Sequence, residues 1–116
     1  MREEINELAR MGPLPSCEVA LRPDQRERIE RYGLLIVSIR KPVTDEEARV
    51  LATLFGPDDC FEMEQQLVHL IESAPGWPLW DCLEDTNNEW IQWLIRRLEN
   101  GGFTRPTKHN PPLRGS

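Results

Sequence analysis

The chain has 116 residues, 39% hydrophobic and 29% charged, with a net charge of −6. That length supports one domain with a single modest core. The longest apolar run, LLIVSI at 34–39, is far shorter than the ~20 residues of a membrane span, so no membrane partner is expected. The charge is unevenly placed. Residues 1–44 carry eight bases and seven acids, 45–89 carry twelve acids and one base (Arg49), and 90–116 carry five bases and one acid (Glu99). An acid block repels phosphate, which argues against a nucleic-acid partner, and it attracts a basic protein and speeds the encounter. The opening MREEINELARMG places acids where a secretory leader needs an apolar stretch, so a cytoplasmic location is expected. The three cysteines, Cys17, Cys60 and Cys82, are odd in number and irregularly spaced, which reads as reduced thiols rather than a disulfide framework.

In chain order, residues 2–11 predict a short amphipathic helix with Ile5 and Leu8 on its inner face, stopped by Gly12-Pro13. Cys17 to Leu21 predicts an extended piece. Pro23 opens a helix that runs toward Gly33 as its C-terminal stop. LLIVSI fits either a strand or one helical face, and its β-branched content and the closing Lys41-Pro42 favour the strand. Thr44-Asp-Glu-Glu47 is a capping-box pattern before a helix with Ala48, Leu51 and Leu54 inward. A further helix is capped near Asp58 or Asp59, with Met63, Leu67, Leu70, Ile71 and Ala74 inward. Pro75-Gly76 breaks it, and 76–85 form a loop. Thr86-Asn-Asn-Glu89 predicts a second capping box before a last helix ending at Asn100-Gly101-Gly102. The expected fold is mainly α, one compact domain of four to five helices over 1–102. A short strand pair at 17–21 and 34–39 is admitted, and 103–116 form a proline-rich basic tail.

No motif for catalysis stands out. Cys60, His69 and Cys82 are spaced nine and thirteen apart, unlike the short paired loops of a zinc site. His69 would lie roughly 13 Å along a helix from Cys60, too far to act as its base. The neighbouring Asp58 and Asp59 would raise the Cys60 pKa instead of lowering it. The carboxylate pairs Asp58/Asp59, Glu62/Glu64 and Glu84/Asp85 lack the loop of a calcium site. Many acids fall at expected helix starts, where they complement the helix dipole. No metal, cofactor or catalytic residue is expected from this pattern.

The four tryptophans all lie in 77–93, beside the densest acids. Trp90 follows the spacing of Ile91, Leu94 and Leu98 and reads as core, with Trp93 on its flank. Trp77 and Trp80 sit in a loop beside Pro75 and Pro78, where they either tuck over the core or serve as rigid contact residues. An aromatic anchor ringed by acids suits a basic, partly apolar protein surface. The candidate partner-binding set is Asp58, Asp59, Trp77, Trp80, Glu84, Asp85 and Glu89.

FGPDDC at 55–60, APGWP at 74–78 and EWIQWL at 89–94 together resemble small bacterial immunity proteins of polymorphic toxin and contact-dependent inhibition systems. The resemblance covers about residues 44–100. It implies a cytoplasmic protein that binds and blocks one cognate toxin domain, and it carries no catalytic residue. A regulatory or adaptor module that binds another basic protein or self-associates fits the same residues. So does an enzyme using the acid cluster with a divalent metal. The sequence leaves monomer and homodimer open.

Overall fold

Apolar side chains that recur every three or four residues fold into six α-helices, and no strand forms among the described residues. The structure is a computed structural model that describes residues 1–57 and 62–103. Asp58, Asp59, Cys60 and the tail from 104 onward lie outside the described residues. Helix α1 spans Glu3–Met11 and buries Ile5 and Leu8. It stops at Gly12, whose φ of +84° suits glycine alone. Helix α2 is one turn, Cys17–Ala20. Helix α3 spans Arg26–Ser38 and is entered through a 3-10 turn at Pro23–Gln25. Helix α4 spans Asp45–Leu51, α5 spans Met63–Glu72 and α6 spans Glu89–Asn100.

The admitted strand pair is absent, for local reasons. Ser16 caps residues 17–20 into a helical turn, its hydroxyl accepting the Val19 N–H at 3.2 Å. That turn is the helix beyond the four to five expected. Residues 34–38 continue α3, because Tyr32, Leu35, Ile36 and Ile39 bury one side at helical spacing. Leu34 and Val37 point the other way and stay in solvent, 65% and 73% exposed. A strand in this run would have put Leu34 and Ile36 on one face, and only Ile36 is buried. Gly33 does not stop the helix. It sits inside α3 with nothing within 4 Å of where a Cβ would stand, at a cost of roughly 1 kcal/mol against alanine.

The capping box at Thr44 forms as expected, with Glu47 N–H donating to Thr44 Oγ1 at 3.1 Å and Thr44 N–H to Glu47 Oε1 at 2.9 Å. The second expected box does not. Asn88 caps α6 instead, its Oδ1 accepting from Trp90 N–H at 2.8 Å and Ile91 N–H at 3.3 Å. Helix α1 packs on α3 and α4, and α5 packs on α3 and α4. Ile91, Leu94 and Leu98 bring α6 into the same core. Gly56 lies so close to the Leu14 carbonyl that any Cβ there would collide with it. Its N–H donates to the fully buried Glu64 at 3.3 Å.

Glu47 is 2% exposed and binds far across the chain. Its Oε2 accepts from the Arg2 backbone N–H at 3.1 Å and Arg2 Nε at 3.0 Å, and its Oε1 from Arg2 Nη2 at 3.3 Å. The same guanidinium donates to the carbonyls of Arg40 at 2.8 Å and Pro42 at 3.2 Å. Burial pushes the Glu47 pKa up, but the backbone N–H groups of Thr44 and Arg2 and the Arg2 charge outweigh it and hold the carboxyl below its usual range. A depressed pKa contributes stability that is complete above the ordinary glutamate range and is lost as pH falls through the lower folded value. Glu47→Gln is expected to destabilise the fold by about 2–4 kcal/mol at neutral pH, measured by urea unfolding. The difference from wild type should shrink as the pH is taken into the acid range, because the protonated carboxyl then resembles the amide.

Candidate functional site

The fold uses up much of the acid block. Glu47 is held by Arg2. Asp45 accepts the Gly76 N–H at 2.8 Å, and Glu64 accepts that of Gly56. Asp81 pairs with Arg49 at 2.7 Å, which holds its carboxyl below the usual range, and Glu72 pairs with Arg97 at 2.7 Å. Asp85 and Glu89 are exposed, and neither carboxylate has a salt bridge or hydrogen bond among the described residues. Glu84 is exposed as well and is not free of contacts. Thus five of the block's twelve acids are fastened to bases or backbone N–H groups of the fold, and two that have no such partner among the described residues, Asp85 and Glu89, lie at the start of α6.

Aromatic side chains stand directly beside that charge. Trp90 stacks on Phe55 at 6.1 Å with the rings 15° apart, and meets Trp93 edge to face at 5.4 Å and 89°. The Arg97 guanidinium lies 5.1 Å from the Trp93 ring centre. Both indoles are half-buried: they pack on the core and keep an open flank. With Gln65 of α5, Glu89 and Arg96 they line a groove of about 270 Å³. A neighbouring depression of about 450 Å³ shares Glu89 and is lined also by Pro13, Phe55, Pro57, Asp85 and Asn88. Asn88 ties the two sides, because its Nδ2 donates to the Phe55 carbonyl at 3.3 Å while its Oδ1 caps α6. The arrangement is an acidic rim around a rigid aromatic wall, which suits a flat cationic or aromatic group of another protein.

The structure brings only part of the expected set together. Glu89 lines this groove and Asp85 the depression beside it, while Asp58 and Asp59 lie outside the described residues. Trp77 is half-buried at the opposite end of α6, in a depression of about 400 Å³ lined by Glu72, Arg97, Leu98, Asn100 and Phe103. The ends of α6 are ~15 Å apart at the rise of an α-helix. Trp80, also half-buried against the core, begins a 3-10 turn that carries Asp81 and Cys82. Sequence reasoning passed over Trp93, Gln65, Arg96 and Phe55 as groove residues. EWIQW at 89–93 carried a signal, since an indole at i and i+3 leaves one of them on the flank of a buried stripe. Phe55 and Gln65 gave none, because tertiary packing alone brings them there.

The Cys82 thiol donates to the Leu79 carbonyl at 3.1 Å, and burial, with help from Asp81, pushes its pKa up to about 11. Among the described residues no group of three or more His, Cys, Asp or Glu side chains is placed to hold a metal ion, and no helix is long and apolar enough to cross a membrane. No protein-family model, curated protein or solved structure matches the chain.

Trp77 and Trp80 each pack on the core, so Trp77→Ala and Trp80→Ala are expected to lower stability by about 1–3 kcal/mol in urea unfolding, short of a fully buried tryptophan. A loss below 0.5 kcal/mol, the range of an ordinary surface change, would place these rings outside the core.

Proposed function

We propose that this chain is a non-enzymatic binding protein that captures a basic protein partner through the acid-rimmed aromatic groove at the start of α6. The observation that carries the reading is the contrast within the acid block. Asp45, Glu47, Glu64, Glu72 and Asp81 are engaged by bases or backbone N–H groups of the fold, whereas Asp85 and Glu89 have no such partner among the described residues and stand beside Trp90, Trp93 and Phe55. Unpaired charge at the rim of a rigid aromatic surface favours fast, selective capture of a cationic partner. The resemblance of the 55–60, 74–78 and 89–94 segments to bacterial immunity proteins gives the partner a class, a toxin domain met in the cytoplasm. A nucleic-acid-cutting toxin has a basic site, and carboxylates held in place of phosphates would occupy it. On this reading Asp85 and Glu89, with Glu84, Asp58 and Asp59, supply the field. Trp90 and Trp93 supply the contact surface nearest to it, and Trp77 and Trp80 extend the aromatic surface beyond.

The test compares wild-type bait with Asp85→Lys/Glu89→Lys bait in extracts of the native host, at low and high salt. The expected result is one basic protein held by the wild type, released by salt and lost from the variant, with association at least about tenfold slower for the purified pair. Co-expression of the captured protein should arrest growth unless the wild-type chain is present. A protein held equally by both baits, or released by neither salt nor charge reversal, would overturn the assignment of this surface.

A further inference from the structure

Trp93 already holds one guanidinium of its own chain. The Arg97 head lies 5.1 Å from the Trp93 ring centre, and the Glu72 carboxylate accepts from it twice, from Nε at 2.7 Å and from Nη2 at 2.8 Å. A flat cation laid on an indole and forked into a carboxylate is an arrangement that arginine makes and lysine does not. The groove at the start of α6 repeats two of those three parts. It presents the indoles of Trp90 and Trp93 and the carboxylate of Glu89, which is exposed and has no ion pair or hydrogen bond among the described residues. The rings are held in place, Trp90 by its stacking on Phe55 and Trp93 by its edge-to-face contact with Trp90. Arg96 lines the groove too, but among the described residues it neither pairs with Glu89 nor lies over an indole. It comes seven positions after Glu89, ~10 Å further along the helix axis.

We infer that the occupant of this groove is an arginine side chain of the protein partner, its guanidinium laid against the indoles and forked into Glu89. The inference rests on the groove being the partner-binding surface, and it names the group that enters. Size limits the occupant. The groove is about 270 Å³, below the ~300–1,000 Å³ of pockets that enclose a whole small ligand, so it takes a single side chain. Charge sets the direction of entry. Glu89 stands at one end, with Asp85 in the adjoining depression, and Arg96 stands toward the other. A cation is drawn to the Glu89 end and turned away from Arg96. Shape then separates the two basic side chains. An ammonium is a compact, strongly hydrated point charge, whereas a guanidinium is planar, sheds water more readily and meets ring and carboxylate together. Arginine and tryptophan are also the side chains that most often carry the energy of a protein interface.

The experiment titrates the full chain with hexa-arginine and with hexa-lysine, peptides of equal charge, at one ionic strength. The readout is the NMR signal of each of the four indole N–H groups. The expected result is that hexa-arginine shifts the Trp90 and Trp93 signals and binds about fivefold tighter than hexa-lysine. Glu89→Gln, an exposed position, should remove that preference with an unchanged helical circular dichroism spectrum. Arg96→Gln should tighten hexa-arginine binding, because a like charge is gone. Equal binding of the two peptides at Trp90 and Trp93 overturns the arginine inference and leaves the basic-partner reading of the groove standing. Shifts confined to Trp77 and Trp80, or no shift at near-millimolar peptide, overturn both. A preference that survives Glu89→Gln overturns the inference, since the fork would then lie elsewhere. Weaker hexa-arginine binding by Arg96→Gln overturns it too, because the groove would then favour an anion.

Discussion

The bond network between Arg2 and Glu47 holds the two ends of the helical core's first half together, and the remaining packing is arranged around it. Glu47 would be a costly charge to bury alone. Here its two oxygens take two backbone N–H groups and a guanidinium, so the helix start at Thr44, the chain entry at Arg2 and the turn at 40–42 are fastened at one point. Helix α1 can then lie across α3 and α4, and α5 can pack on the same two helices. The N-terminal helix is short and charged on its outer side. Without that fastening it would depend mainly on the burial of Ile5 and Leu8.

Seen from that point, the dense negative charge of the middle of the chain divides into two parts with different physics. Carboxylates that meet a base or a backbone N–H inside the fold, such as Glu47, Glu72 and Asp81, lend rigidity and leave little net field outside. Asp85 and Glu89 keep their field because neither carboxylate is paired among the described residues, although Arg96 lines the same groove as Glu89. The tryptophans divide in the same way. All four are half-buried, but Trp90 and Trp93 form an ordered edge-to-face pair next to the unspent charge, while Trp77 lies at the far end of α6. A binding surface needs charge and rigid area in the same place, and only one end of α6 provides both.

Much of the helical layout was readable along the chain. The capping box at Thr44 and Glu47, the glycine-proline stops and the buried stripes of α5 and α6 are local signals, written within a few residues. The 34–39 run was not readable in the same way. Its six residues satisfy a strand and a helix equally as a pattern, and Tyr32 decided for the helix by reaching the Gly12 carbonyl at 2.7 Å, beyond the end of α1. The candidate groove was half readable. Glu89, Trp90 and Trp93 are neighbours in sequence, but Phe55 and Gln65 come from two other parts of the chain.

The sequence by itself determined the mainly helical class, the positions of most helix starts and stops, and the concentration of acids and tryptophans in one stretch, because each of these depends on residues close together along the chain. The tertiary structure alone decided which acids are spent inside the fold, which indoles share a groove and which side of α3 is left bare. These are properties of distance in space, and the partner of a charge such as Glu47 or Asp81 stands 45 or 32 residues away.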